Sequence, residues 1–212
     1  MTKIAATIAS DLLRIQAVTL RPNDPFTWAS GMHSPIYTDN RLTISYPAVR
    51  THIAEGIAAV IREQYPETAV IAGVATAGIP HAAWVAQILN LPLIYVRSKP
   101  KDHGAGRQIE GVLTPGEKVV MLDDLISTGG SVLQAAKAVQ AEGGDIQAVG
   151  SIFSYQLEAA TTNFAAAQLP LFSLTNYTAL IEVARQADQI TDAELASLHA
   201  WRQDPAAWGQ DH

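Results

Sequence analysis

Along the chain, runs of apolar residues bounded by turn formers alternate with stretches that space their apolar residues three or four apart. The first kind falls at 69–74, 91–96, 118–122 and 146–153 and predicts buried strands. The second falls at 48–64, 78–89 and 130–142 and predicts helices, the last ending at the Gly143-Gly144 pair. Such alternation implies an α/β fold with a mostly parallel central sheet and helices on both faces. Ile8, Leu12 and Ile15 keep helical spacing near the start, and 172–208 returns to it, whereas 26–41 is dense in turn residues, Tyr and Trp. A single domain is expected over 1–212, with a core of about 45–168 and a small hood in which about 1–44 packs with 169–212. Residues 98–115 hold no strong period, three glycines and two prolines, and are predicted to be a structureless functional lid.

Composition narrows the class. At 212 residues, 48% hydrophobic and 16% charged, the chain can bury a substantial core and shows no internal repeat. It has no cysteine, which excludes disulfides, thiolate metal sites and cysteine nucleophiles. Asp11 and Arg14 interrupt the first apolar stretch, and no apolar run approaches the ~18 residues of a membrane span, so a cytoplasmic location without membrane contact is expected. A formal net charge of −6 argues against a nucleic-acid partner. Yet four of the 14 Lys and Arg residues, Arg97, Lys99, Lys101 and Arg107, crowd one short segment with His103. An acidic protein with one basic loop suits a small polyanion.

The chemistry concentrates at 119–131, VVMLDDLISTGGS. An apolar run delivers Asp123 and Asp124 to the carboxyl edge of a strand, where open α/β sheets bind ligands. Leu125 and Ile126 follow, then Ser127, Thr128, Gly129, Gly130 and Ser131 offer backbone N–H groups and hydroxyls to a phosphate, reinforced by the positive end of the next helix. The ordinary alternative, an Asp-rich turn with an N-cap, needs far less than this full pattern. A second strand-to-helix junction, 73–80, holds Thr76 and Ala77 between two glycines and brings more backbone N–H groups forward. Gly111 to Lys118 superficially suggests a nucleotide P-loop, but Glu117 stands where lysine is required and the segment precedes a strand. No dinucleotide fingerprint is present, and His33, His52, His81 and His199 lack metal-ligand spacing.

The 119–131 window resembles the phosphoribosyl pyrophosphate (PRPP) motif of type I phosphoribosyltransferases, and the loop at 73–80 precedes it as their pyrophosphate loop does. Residues 26–41, FTWASGMHSPIYTDNR, resemble the FTxxSGxxSPxYxDxR segment of orotate phosphoribosyltransferases. Residues 97–104, RSKPKDHG, resemble their flexible loop, and 108–111, QIEG, continues the similarity. The likeness spans nearly the whole chain.

By that resemblance, Asp123 and Asp124 face the ribose 2′ and 3′ hydroxyls, and Ser127 to Ser131 wrap the 5′-phosphate. Arg97, Lys101 and His103 bind pyrophosphate, with Thr76 and Ala77, and reach the partner's site in a homodimer with shared active sites. Ser127 also contacts orotate, and backbone at Ile36 and Tyr37 flanks the pyrimidine. Lys101, His103, Asp123 and Asp124 are the implied catalytic set. Some members carry lysine where Ala29, Ala77 and Ser98 stand, and an arginine that recognises orotate where Tyr155 stands; Arg41 is the candidate replacement. The implied reaction joins PRPP and orotate, with Mg²⁺, to give orotidine 5′-monophosphate and pyrophosphate in pyrimidine biosynthesis; no side chain is assigned as a metal ligand. Two alternatives share the PRPP motif: a phosphoribosyltransferase for another base, and a non-catalytic PRPP-sensing regulator.

Overall fold

A computed structural model describes residues 2–28, 31–99 and 108–208. Helix α1 (Lys3–Arg14) starts where the Thr2 hydroxyl accepts a hydrogen bond from the Ala5 N–H, and it buries Ile8 and Leu12 one turn apart. Short strands follow in the turn-rich segment: β1 (Val18–Leu20) pairs antiparallel with β4 (Ile36–Thr38), and β2 (Phe26–Thr27) with β3 (His33–Ser34). A 3-10 helix (Asn40–Ser45) leads into α2 (Pro47–Gln64), whose first-turn proline needs no hydrogen-bond partner.

The main sheet then builds in order. It comprises β5 (Val70–Val74), β6 (Leu93–Val96), β7 (Ile109–Glu110), β8 (Lys118–Ile126), β9 (Asp145–Ser154) and β10 (Leu171–Asn176). Helices α3 (Gly78–Leu89), α4 (Gly130–Ala141) and α5 (Glu158–Ala167) lie between strands, and α6 (Tyr177–Gln186), α7 (Asp192–Gln203) and α8 (Pro205–Trp208) close the chain. Strands run β10-β9-β8-β5-β6-β7, all parallel except β7. Alternate residues of β8 serve opposite faces. Val120 and Leu122 join Ile71, Ile53, Ile57 and Val85 beneath α2 and α3, while Val119 and Met121 join Val70, Val132, Val139 and Phe164 beneath α4 and α5. Truncating either set, for example Leu122→Ala, costs about 2–5 kcal/mol.

Successive units leave β5 in opposite directions, α3 leading to β6 on one side while β8 takes the other. That reversal opens a crevice between the carboxyl ends of β5 and β8, the place where doubly wound sheets bind ligands. The chain ends meet above it: Trp28 contacts Tyr155 and Trp201 at centroid distances of 5.3 and 5.9 Å, the Trp201 indole donates to the His33 carbonyl at 3.2 Å, and Asn23 donates to Glu194 at 2.8 Å.

Four expectations change. Strand β8 continues past Leu122 to Ile126, so the two aspartates lie within the strand instead of after it. Segment 98–115 contains β7, pinned to β6 by backbone pairing. Within 172–208 the first residues extend as β10, and 26–41 carries paired strands. In each case strand pairing overrides the local pattern.

Candidate active site

Strand β8 holds Asp123 and Asp124 side by side, and Asp123 is only 8% exposed. Burial, then the neighbouring Asp124 charge, pushes the Asp123 carboxyl up to about 7. Burial raises Asp124 as well. The Asp124 N–H donates to Asp123 Oδ1 at 2.9 Å, but among the described residues neither carboxylate makes an ion pair. Arg41 acts on Asp124 only through its field, because its guanidinium is spent on Asp39 at 2.6 and 2.8 Å. Two desolvated carboxylates without a cation are poised for a ligand that brings hydroxyl donors or a cation.

Downstream, Leu125 and Ile126 anchor the strand end in the two cores, and Ser127 and Thr128 turn toward α4. Gly129 sits at φ +80°, and a Cβ there would lie 2.5 Å from the Phe164 ring. Only glycine fits. Helix α4 starts at Gly130 with no side-chain cap, so its first-turn N–H groups, with the Ser131 hydroxyl beside them, suit an anion. Asn163 fixes the turn by donating to the Thr128 carbonyl at 2.9 Å.

Across the crevice, Thr76 and Ala77 occupy the turn from β5 into α3, after a cis Ala75–Thr76 peptide. Gly78 lets this turn approach β8, since a Cβ there would lie 2.4 Å from the Leu122 carbonyl oxygen and 3.1 Å from Asp123 Cα. The Thr76–Ala77 turn therefore borders the acid pair.

A pocket of about 410 Å³ opens beside these groups, lined by Phe26, Trp28, Tyr37, Thr38, Leu125, Ser127 and Tyr155. Such a slot suits a flat ring. Burial pushes the Tyr155 hydroxyl up to about 12, so it stays neutral. Ile36 is fully buried, and its carbonyl accepts from Trp28 Nε1 at 3.3 Å and Ser34 Oγ at 2.9 Å; it backs the wall that Tyr37 and Thr38 present. A larger hollow of about 760 Å³ near Thr2, Asn176 and Glu182 contains none of the sequence-derived candidates.

Arg97 follows β6 directly. Its guanidinium lies 3.5 Å from Glu110, and its backbone exchanges hydrogen bonds with Gln108 at 2.9 and 2.7 Å. Lys101 and His103 lie outside the described residues. Sequence reasoning gave no individual role to Trp28, Thr38 or Asn40, although the aromatic and turn-rich character of 26–41 marked their segment. Asn40 is buried and donates to the Asp124 carbonyl at 2.7 Å.

Comparison with known proteins accords with this geometry. Residues 45–162 match the model of the phosphoribosyl transferase domain family. The orotate phosphoribosyltransferase of Lactiplantibacillus plantarum is 83% identical over 209 residues, 99% of this chain and 99% of that protein. The chain belongs to the orotate phosphoribosyltransferases. It is thus an enzyme of the pentosyltransferase class with a type I phosphoribosyltransferase fold. The crystal structure of the family member from Aeropyrum pernix superposes with a TM-score of 0.73 at 25% identity, covering 87% of this chain and 99% of that one. A Leishmania donovani UMP synthase superposes with a TM-score of 0.79 at 26% identity, covering 94% of this chain but 42% of that longer protein.

Proposed function

We propose that the crevice binds PRPP along the line from the start of α4 to the Thr76–Ala77 turn, with orotate in the aromatic pocket. One observation carries this reading: Ser127 lines the aromatic pocket, three residues after Asp124 and three before the start of α4, so one short stretch of chain joins the pocket, the acid pair and the uncapped helix end. A sugar phosphate seated at that helix end would present its anomeric carbon to a base in the pocket. Orotate N1 bonds to ribose C1 as the bond from C1 to the pyrophosphate oxygen breaks, and the N1 proton passes to the departing pyrophosphate or to water. Positive charge grows on the sugar ring in an oxocarbenium-like transition state, so no nucleophilic side chain is needed.

The roles follow. Asp123 and Asp124 accept hydrogen bonds from the ribose hydroxyls and fix the ring, and their negative field favours the cationic sugar. Ser127, Thr128, Gly129, Gly130 and Ser131 hold the 5′-phosphate. Thr76 and Ala77 hold pyrophosphate, with Arg97, Lys101 and His103 opposing the charge that develops on it; this requires Arg97 to leave Glu110. Among the described residues no cluster of three His, Asp or Glu side chains exists that would hold a metal by itself. The acidic residues Asp123 and Asp124 nevertheless suit a site that takes Mg²⁺, which would be held chiefly by PRPP and water oxygens. When bound, the ion neutralises pyrophosphate and makes it a better leaving group.

Segment 98–111 would close as a lid to exclude water, and each lid would serve the partner's site in a homodimer. We place the enzyme in the cytoplasm, acting in UMP synthesis as one domain with a hood formed from its two ends; among the described residues no helix is long and apolar enough to cross a membrane. The test is a panel of bases with PRPP and Mg²⁺, monitored by absorbance. Orotate should be consumed far faster than uracil, adenine or hypoxanthine, and faster turnover of any of these would sink the assignment.

A further inference from the structure

The proposed base wall, Tyr37 and Thr38, and the ribose-facing pair, Asp123 and Asp124, lie on segments far apart in the chain. Their relative placement sets the distance between the attacking nitrogen and the sugar carbon. Among the described residues, a single hydrogen bond joins 36–45 to β8, from Asn40 Nδ2 to the Asp124 carbonyl at 2.7 Å. It forms where β8 has outrun its neighbour: pairing with β5 ends at Gly73 and Leu122, while β8 continues to Ile126. Asn40 thus occupies the side of the strand that β5 no longer covers.

The contact is backed by a buried polar line. Thr43 Oγ1 donates to the Asn40 carbonyl at 2.5 Å and lies 3.2 Å from His81 Nε2, on the helix that follows the Thr76–Ala77 turn. The single hydroxyl proton of Thr43 is committed to Asn40, so His81 must donate from Nε2, which leaves its Nδ1 a bare acceptor. That Nδ1 and Asn40 Oδ1 are both buried without a partner. Folding alone disfavours two stranded acceptors on one short line, and their retention points to a demand on geometry.

We propose that Asn40 is a positioning residue that sets the spacing between the base wall and the ribose-binding carboxylates, with Thr43 and His81 tying the same strut to the pyrophosphate turn. It touches neither substrate. This rests on the assignment of the base to the Tyr37 wall and the ribose to the acid pair. Each substrate alone still finds its own half of the site when the strut is lost, but the two halves no longer hold the reacting atoms in line, and misplacement on the scale of 1 Å costs about 10²-fold in rate.

The test compares wild type with Asn40→Ala and with Asn40→Asp, which keeps the shape but replaces the donor NH₂ by oxygen. Turnover of orotate with saturating PRPP and Mg²⁺, separate calorimetric Kd values for orotate and PRPP, and unfolding midpoints are measured for all three. We expect kcat to fall at least about tenfold in both variants, with each Kd within about threefold of wild type. Should Asn40→Ala fail to fold, the isosteric Asn40→Asp decides by the same criteria. Retained kcat in a folded variant overturns the strut. So does a loss of kcat matched by equal losses in both binding constants or explained by the unfolded fraction, because Asn40 would then merely cap a strand. A wild type that leaves orotate unconsumed would instead overturn the functional reading on which the strut rests.

Discussion

Burial acts on Asp123 and His81 in opposite directions. Asp123 is pushed toward neutrality near the working pH, so ligands that supply hydroxyl donors or positive charge restore its ionised form as they bind. His81, 1% exposed, is held neutral because burial lowers its pKa to about 4. In the unfolded chain the same imidazole takes up a proton near pH 6.5. The unfolded state therefore binds more protons between about pH 6.5 and 4, so the contribution of His81 is intact above that window and is lost as pH falls through it. Urea titrations over pH 7.5 to 4 should show wild type losing about 3 kcal/mol more than His81→Gln, the linkage value of such a shift. Parallel stability curves would show that His81 is already protonated or that the fold opens around it.

At the scale of elements, the turn between β5 and α3 and the strand β8 share a contact that admits no side chain. Gly78→Ala places a methyl group 2.4 Å from the Leu122 carbonyl oxygen, so α3 must move off β8 or the acid pair must shift. The variant should lose about 2–4 kcal/mol of stability and at least tenfold in kcat/KM, read by calorimetry and initial rates. An unchanged melting temperature would mean the crevice is wider than described. The elements around this contact were legible in sequence. Apolar runs at 69–74 and 146–153 and the glycines at 78, 130 and 143 mark β5, β9, α3 and α4 because burial on both faces and helix termination leave local traces. The last residues of β8 were not legible, since the apolar run stops at Leu122 and two adjacent aspartates carry no strand signal until β9 is seen paired with Asp123 and Leu125. Strand β10 buries only Leu174 and Thr175 fully, and the strands of 18–38 are two or three residues long; each exists through its pairing partner more than through its own pattern. The site divides the same way. Asp123, Asp124 and the Ser127 to Ser131 loop announce themselves in one window, whereas Asn40 acquires meaning only from a carbonyl 84 residues away.

At the scale of the molecule, a chain of net charge −6 gathers four of its 14 Lys and Arg residues into 97–107, as the binding of a polyphosphate would require. Sharing of sites between subunits would put Lys101 of one chain beside the acid pair of another. A chain carrying Asp123→Asn and Asp124→Asn and a chain carrying Lys101→Ala should each be nearly inactive, yet after co-refolding in equal amounts about half the dimers are mixed and hold one intact site, restoring about a quarter of wild-type activity. No recovery in confirmed mixed dimers would show that each lid serves its own subunit. We propose that the acid pair at the end of β8 fixes the sugar during transfer, and every shared site depends on it. The rate of orotate consumption by the Asp123→Asn, Asp124→Asn enzyme, with PRPP and Mg²⁺ saturating, tests it most directly: the account predicts a fall of at least about 10³-fold with no loss in unfolding temperature, and a folded double variant within tenfold of wild type would contradict it.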